Sequence, residues 1–327
     1  MPVAGNLRQT DHAAIGSRHA TMASMLMGRV ARMYYDHGLT HQEIADALGL
    51  SRMRVTRLLA DARAAGMVKI TVDAPDSLFA DDERDLSERY GLRHAFLAPS
   101  LRDAGKANRS FATFGAESLS HLIERDSLVA LGFSREVALV ANAFSASKPD
   151  ARFVPLAGST AGLTAGVNPH ELALRFAERS GGSSFHLPAP LLAASAIAAR
   201  AIRDDPNVAD VLAKAAQSDI LLVGVGATQQ GKGMLFDLLS PEEGEELRAR
   251  GAVGDVGARF FDAAGEPVHG ELDDRIVGLT LDEFSRIPVR VAIVRGLSKV
   301  MPLRIALSRG FVNVLISDID TARSLLA

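Results

Sequence analysis

Leu39-Thr40-His41-Gln42-Glu43-Ile44-Ala45-Asp46-Ala47-Leu48-Gly49-Leu50-Ser51-Arg52-Met53-Arg54-Val55-Thr56-Arg57-Leu58-Leu59 is the stretch on which the reading of this chain turns. Thr40 stands three residues before Glu43, the reciprocal pattern of a capping box, so a helix starts there. Ile44, Ala45 and Leu48 form its apolar stripe. Gly49 permits the sharp turn that follows, because a residue without Cβ enters the left-handed region freely. Ser51 caps the next helix, which runs to about residue 65 and buries Val55, Leu58, Leu59 and Ala62. Ala45 is small enough for the two helices to cross closely. Arg52, Met53, Arg54, Thr56 and Arg57 remain on the outer face. This is a helix-turn-helix, whose second helix enters the major groove of DNA.

Working outward, Met22, Met25, Leu26, Val30, Met33 and Tyr34 fall at helical spacing, and Asp36-His37-Gly38 ends that helix. Gly66 ends the recognition helix, and Met67 to Val72 reads as a short strand. The predicted module is a winged helix-turn-helix over residues 21–72, behind a flexible N-terminus at 1–20. Arg52 and Arg54 are the candidates for base edges of double-stranded operator DNA. Ser51, Thr56 and Arg57 are expected on phosphates, which orient the protein without reading sequence. Gln42 is expected near the DNA backbone, and Lys69 of the wing near a neighbouring phosphate. A solvated hairpin with incidental arginines would leave the agreement of caps, turn glycine, core spacing and basic face unexplained.

Composition narrows the classes. The 327 residues are 47% hydrophobic and 23% charged, which describes a globular chain long enough for two domains. Cysteine is absent, excluding disulfides, thiol chemistry and cysteine-ligated metals. The net charge of -3 conceals an asymmetry: residues 1–75 hold nine Lys/Arg against six Asp/Glu, and residues 76–327 hold 27 against 33. Five of the basic residues lie between Ser51 and Lys69, with Asp61 the single acid there. A mildly acidic protein with one basic patch places that patch on DNA in one orientation. No window approaches the length of a membrane span, so a cytoplasmic protein is expected. His121 beside Glu124, and the separate His186, lack metal-ligand spacing; no metal, cofactor or Ser-His-Asp triad is expected.

Residues 73–82 are acidic, contain Pro75 and read as a linker; a helix is expected over Asp81–Tyr90. Beyond it, short apolar runs alternate with helical stretches. Strands are expected at Ala95–Ala98, Leu128–Leu131, Phe153–Leu156, Ile220–Val225, Val289–Val294 and Asn313–Ile316. Helices are expected at Asn108–Glu124, Pro169–Glu178, Leu191–Arg203, Val208–Gln217, Pro302–Arg309 and Asp320–Leu326. That alternation predicts an α/β domain over 83–327 with a mostly parallel sheet.

Several strand ends in this domain suit a small polar ligand. Gly224-Val225-Gly226 opens a glycine-rich run to Gly233 that nearly matches a phosphate loop. Gly233 stands where Ser or Thr would meet magnesium, which argues against nucleotide hydrolysis. Gly132-Phe133-Ser134-Arg135-Glu136 follows one strand and Gly158-Ser159 another. Asp255, in the cluster Gly251 to Gly257, could accept sugar hydroxyls. Lys299 could capture an anion together with helix-start amides, and Asp318 follows the last strand.

These pieces together resemble the SorC/DeoR-type sugar-binding transcriptional regulators, over nearly the whole chain from Ala31 to Leu326. The matching pieces are Ala31 to Tyr35, Ser51 to Leu59, Ala62-Arg63 and Gly66-Met67-Val68 at the amino-terminal end. Further on they are Pro155-Leu156-Ala157-Gly158, Leu187-Pro188-Ala189-Pro190, Leu222 to Gly226, Gly251 to Asp255, and Asp318 with Thr321-Ala322. The resemblance implies an effector domain of the sugar-isomerase/CoA-transferase-like α/β class. It also implies a sugar, polyol or phosphosugar effector and a homodimer or homotetramer. Lys299 matches the family's lysine after a glycine-containing turn, with Arg295 in place of one glycine. Asp318 matches the aspartate before the last helix, with Ile319 in place of the usual second acid. The family often has a Gly-Trp-Gly-x-Thr-like run where this chain has Gly132 to Glu136. Glu136 therefore stands where a hydroxyl would help cradle a phosphate, which favours an unphosphorylated ligand.

The expected function is a regulator of carbohydrate or polyol catabolism, in which effector binding and operator affinity are linked. The rival reading is a sugar-phosphate isomerase-like enzyme with an accessory DNA-binding domain. Asp255 or Glu136 would be its general base, but the sequence offers no positioned acid partner.

Overall fold

The structure is a computed structural model and describes residues 24–68, 77–148, 150–160, 166–228 and 233–327. The chain divides into two compact units, Met1–Pro75 and Asp76–Ala327.

In the first unit, helix α1 spans 24–35, α2 spans His41–Leu48 and α3 spans Arg52–Ala64. The expected caps are present. Thr40 N donates to Glu43 Oε2 at 2.7 Å, and Glu43 N donates back to Thr40 Oγ1 at 3.3 Å. Gly49 sits at φ 65°, and Leu50 N closes the turn onto the Ala45 carbonyl at 2.9 Å. Val30, Ile44, Ala45, Val55, Leu58 and Leu59 form one small core. The wing was expected over Met67–Val72. Met67 and Val68 are not in a strand, and residues 69–76, Lys69 included, lie outside the described residues.

The second unit begins with α4 (Ala80–Tyr90), so Asp81 and Asp82, at the end of the expected linker, stand in its first turn. The main sheet, among the described residues, has the order β1-β10-β9-β5-β2-β3-β4, with every neighbouring pair parallel. Its strands are β1 (His94–Ala98), β2 (Leu128–Leu131), β3 (Arg152–Pro155), β4 (Ser183–Ser184), β5 (Ile220–Val223), β9 (Val289–Ile293) and β10 (Val314–Asp318). Alternate side chains feed two cores. Val129, Leu131, Phe153, Leu222 and Ile293 pack with residues of α5 (Ala104–Leu122), α6 (Arg135–Ala143) and α7 (Pro169–Ser180). Ala130, Val154, Leu221, Val223 and Leu315 pack with residues of α9 (Pro206–Ala216), α13 (Val300–Ser308) and α14 (Ile319–Leu326). Coverage on both faces is why these strands read as unbroken apolar runs.

Two expectations need correction. The run Ile220–Val225 is not one strand: it divides at Gly224 into β5 and β6 (Val225–Ala227), and β6 joins an antiparallel sheet with β7 (Ala252–Val256) and β8 (Arg259–Asp262). A Cβ on Gly224 would come within 2.6 Å of Ser134 Oγ, so the crossing depends on its absence. The glycine cluster at Gly251 to Gly257 is strand β7 and its turn, with Gly257 and Ala258 at φ 56° and 73°, as a tight primed hairpin requires. The expected helix Leu191–Arg203 shrinks to α8 (Ala196–Arg203). Leu191 and Ala193 instead donate their backbone N–H groups to Ser159 and Arg275 carbonyls, and Ser195 caps the helix.

Arg259 ties the small sheet to the rest of the unit. Only 6% exposed, it donates to the carbonyls of Leu279 (2.8 Å), Asp273 (2.9 Å), Gly278 (3.2 Å) and Ile276 (3.4 Å), and to Asp273 Oδ1 at 2.7 Å. Arg259→Met removes a donor from each of these acceptors, although Arg203 still reaches the Gly278 carbonyl and Ile276 N the Asp273 carbonyl. Urea unfolding should show a loss of about 3–5 kcal/mol, and Arg259→Lys should recover only part of it because an ammonium lacks the fork. Unchanged stability in Arg259→Met would show that the network contributes nothing.

Candidate functional site

The first candidate surface is the outer face of α3. Arg52, Met53, Arg54 and Arg57 are exposed there. The other predicted contacts are partly engaged within the motif. Ser51 Oγ accepts from Arg54 N at 3.2 Å as the helix cap. Thr56 Oγ1 donates to the Arg52 carbonyl at 3.0 Å and lies 3.1 Å from His41 Nδ1, which couples α3 to α2. Gln42 Nε2 donates to Asp46 Oδ1 at 2.9 Å. The three arginine guanidinia are thus the prominent donors on this face, and Ser51 and Thr56 hold the helix in shape.

The second is a cleft of about 570 Å³, partly open to solvent, in the larger unit. Its lining comes from just beyond the carboxyl ends of β2 (Phe133, Ser134, Arg135, Glu136), β5 (Gly224, Val225, Gly226) and β9 (Val294, Arg295, Lys299), with Asp255 from β7. The chain runs from β2 outward through β3 to β4, then returns on the other side of β2 through β5 and β9. The cleft therefore lies at the switch point of the sheet, where connecting segments diverge and leave a crevice.

Asp255 is the most constrained group there. Its strand partner is Gly226, whose missing Cβ makes room for the carboxylate; a Cβ at that position would overlap Asp255 Oδ1. Asp255 is 5% exposed, and its Oδ1 has no hydrogen-bond partner among the described residues. Burial pushes its pKa up to about 6, with the Lys299 ammonium pulling it back. Burial in turn holds Lys299 below the usual lysine value, against the attraction of Asp255 and Glu136. Lys299 is positioned by the short turn Leu297–Lys299 that follows Gly296 and leads into α13. A carboxylate that lines the cleft with one buried oxygen lacking a donor among the described residues, beside an ammonium, suits a ligand that supplies hydroxyl donors.

Of the predicted ligand residues, Phe133, Ser134, Arg135, Glu136, Gly224, Gly226, Asp255 and Lys299 meet in this cleft. The remaining four are placed elsewhere or beneath it. Gly132 continues β2, donating to the Leu222 carbonyl at 2.9 Å, and a Cβ there would meet Leu156 and Val223. Gly158 approaches the Pro190 carbonyl so closely that a Cβ would clash, and Ser159 exchanges backbone bonds with Ala189 and Leu191. Asp318 caps α14 by accepting from Thr321 N at 2.9 Å, and Thr321 Oγ1 in turn accepts from Gly296 N at 2.7 Å. Sequence reasoning did not place Arg295, Met234 or Leu235 in the site. Arg295 was visible as a departure from a glycine, but its place beside Glu136 depends on the fold. Among the described residues, no group of three His, Asp or Glu side chains could hold a metal ion, and no helix is long and apolar enough to cross a membrane.

Both units resemble known proteins. Residues 77–327 match the family model described as "Putative sugar-binding domain", and residues 29–65 match that for Sigma-70, region 4. The transcriptional regulator LsrR of Escherichia coli (strain K12) is 32% identical over 306 residues, covering 92% of this chain and 94% of that protein. LsrR of Klebsiella pneumoniae subsp. pneumoniae is 32% identical over 309 residues, with 92% and 93% covered. Among solved structures, the full-length sorbitol operon regulator SorC from Klebsiella pneumoniae superposes with a TM-score of 0.76 at 24% identity, over 93% of this chain and 98% of that one. The match thus runs along almost the full length of the chain, through both units, and the chain belongs to the SorC/DeoR-type sugar-binding transcriptional regulators.

Proposed function

We propose that the cleft at the switch point is the effector site and that its occupancy sets the affinity of α3 for operator DNA. The observation that carries this reading is the buried Asp255 carboxylate, whose Oδ1 is without a donor among the described residues beside the partly buried Lys299. A sugar or polyol hydroxyl would donate to that oxygen, and another would accept from Lys299. Asp255 and Lys299 act here as binding groups, not as a catalytic acid and base. The output is linkage: the ligand favours one arrangement of the protein, and operator affinity follows.

On the DNA, Arg52 and Arg54 reach base edges and Arg57 a phosphate, with Ser51, Thr56 and Gln42 near the backbone and Lys69 adding a phosphate contact from beyond the helix. So few basic groups give one copy a modest grip. A homodimer or homotetramer, bringing two recognition helices to half-sites one helical turn apart, would supply the rest.

Band-shift titration on the upstream DNA of this gene, with and without free and phosphorylated sugars and polyols, tests the linkage. Arg54→Ala should bring specific and competitor DNA closer together by about 1–3 kcal/mol. Undiminished discrimination would remove Arg54 from base readout. Lys69→Ala should weaken all sequences alike and reduce the salt slope by about 1.

Asp255 sets the expected pH dependence. A ligand that donates to its ionised form binds fully above pH about 6, and affinity falls by up to roughly tenfold per pH unit below that. Asp255→Asn should weaken effector binding about 10- to 100-fold and flatten the profile. In the ligand-free protein the sign is opposite. A carboxyl raised from 3.8 to about 6 holds its proton more tightly when folded, so its contribution to stability grows as pH falls from above 6 towards 4. A calorimetric profile of effector affinity that is flat between pH 5 and 7 in the unsubstituted protein would remove Asp255 from the site.

A further inference from the structure

The charges around the cleft bear on the chemical class of its ligand. Helix α6, nine residues long, begins at the cleft wall, and residues 133–136 line it. The positive end of such a helix is where an anionic ligand group would dock. In this chain Glu136 occupies the first turn of α6, so the protein's own carboxylate sits in that field. Glu136 Oε1 lies 3.9 Å from Arg295 Nε, with both side chains largely withdrawn from solvent. Arg295 is held there on its other sides: its guanidinium lies 4.7 Å over the Phe111 ring and donates to Asn108 Oδ1.

Lys299 is attracted by Asp255, Glu136 and Asp237 and repelled by Arg135. Among the described residues that line the cleft, Arg135, Arg295 and Lys299 stand with two carboxylates, Glu136 and Asp255, while Asp237 acts on Lys299 from outside the lining. A phosphomonoester would bring a further charge of about -1.5 to -2 at neutral pH. That charge would lie near Glu136 and Asp255 in a space where water screens poorly. A neutral polyhydroxyl ligand meets no such repulsion, and it can donate to Asp255 Oδ1, the buried oxygen without a donor among these residues.

We infer that the cleft selects an uncharged sugar or polyol over its phosphomonoester, and that Glu136, paired with Arg295, is the residue that discriminates. The inference rests on reading the cleft as the effector site. Glu136 acts as a resident anion in the position that a ligand phosphate would otherwise take.

Calorimetry on the full chain with pentitols, hexitols and ketohexoses, and with the phosphomonoester of each, tests the selectivity. The expected result is a neutral ligand bound at least roughly tenfold more tightly than its phosphomonoester, with the ratio reversed or abolished in Glu136→Thr and Glu136→Gln. A second measurement does not require the ligand to be known. At constant ionic strength, inorganic phosphate should raise the thermal midpoint of the two Glu136 variants and leave the unsubstituted protein where chloride leaves it. Two variants guard against one that folds poorly. Equal stabilisation of the unsubstituted protein by phosphate overturns the inference. A phosphomonoester that binds more tightly than its parent, and is lost in Asp255→Asn, also overturns it but leaves the cleft as the effector site. A ligand whose binding is untouched by changes at both Asp255 and Glu136 lies elsewhere, and overturns both readings.

Discussion

The close approach of backbone to side chain at Gly224 and Gly226 is the constraint on which the larger unit depends. At Gly224 the chain leaves the parallel sheet past Ser134, and at Gly226 it runs against the carboxylate of Asp255. Neither passage has room for a Cβ. Together they let one continuous segment serve two sheets, β5 in the first and β6 in the second. The second sheet then brings Asp255 over the carboxyl ends of strands that are far from it in sequence. Without that passage the switch point would still form a crevice, but without a buried carboxylate in it.

That placement has an electrostatic consequence. A carboxylate taken out of water is unfavourable unless it is paired and bonded. Asp255 has Lys299 for a charge but lacks a donor to one oxygen among the described residues. The protein thus holds a buried polar group in an unsatisfied state, and under the proposed function a hydroxyl donor would relieve it. Glu136 and Arg295 work differently. They face each other at the cleft wall and bring their charges into balance before any ligand arrives. The two carboxylates therefore differ in environment: Asp255 has an oxygen without a donor among the described residues, and Glu136 is paired with Arg295.

In the smaller unit the division of labour is between side chains that hold the motif together and those that remain available. Thr40, Glu43, Ser51 and Thr56 use their polar atoms on caps and on the contact between α2 and α3. Arg52, Arg54 and Arg57 project from the same helix without being needed for its fold. The groups that shape the motif are thus distinct from the arginines that charge its outer face, so a change at an arginine leaves the caps and the contact between α2 and α3 in place.

The helix-turn-helix was legible in the sequence because its signals are local. A capping box, a left-handed glycine and a period of 3.6 all act within a few residues. The parallel strands were legible for a related reason: burial on both faces leaves apolar runs such as Leu128–Leu131 that need no partner to be noticed. Three helices were missed although their signals were present, α6 behind its Ser134 cap, α10 (Pro241–Ala249) behind the Ser240–Glu243 box and α12 (Leu281–Arg286) behind the Thr280–Glu283 box. The antiparallel sheet was not legible, because glycines in β6 and β7 look like loop residues until the strand that pairs with them is known. By itself the sequence determined the DNA-reading helix, the alternation of the α/β unit and most of the residue types in the cleft. Only the tertiary structure decided that Glu136 meets Arg295, that Asp255 and Lys299 share a cleft, that Gly158 and Ser159 pack against Ala189 to Leu191, and that Asp318 caps α14. Those outcomes depend on strand order and register, which long-range packing sets and no local pattern records.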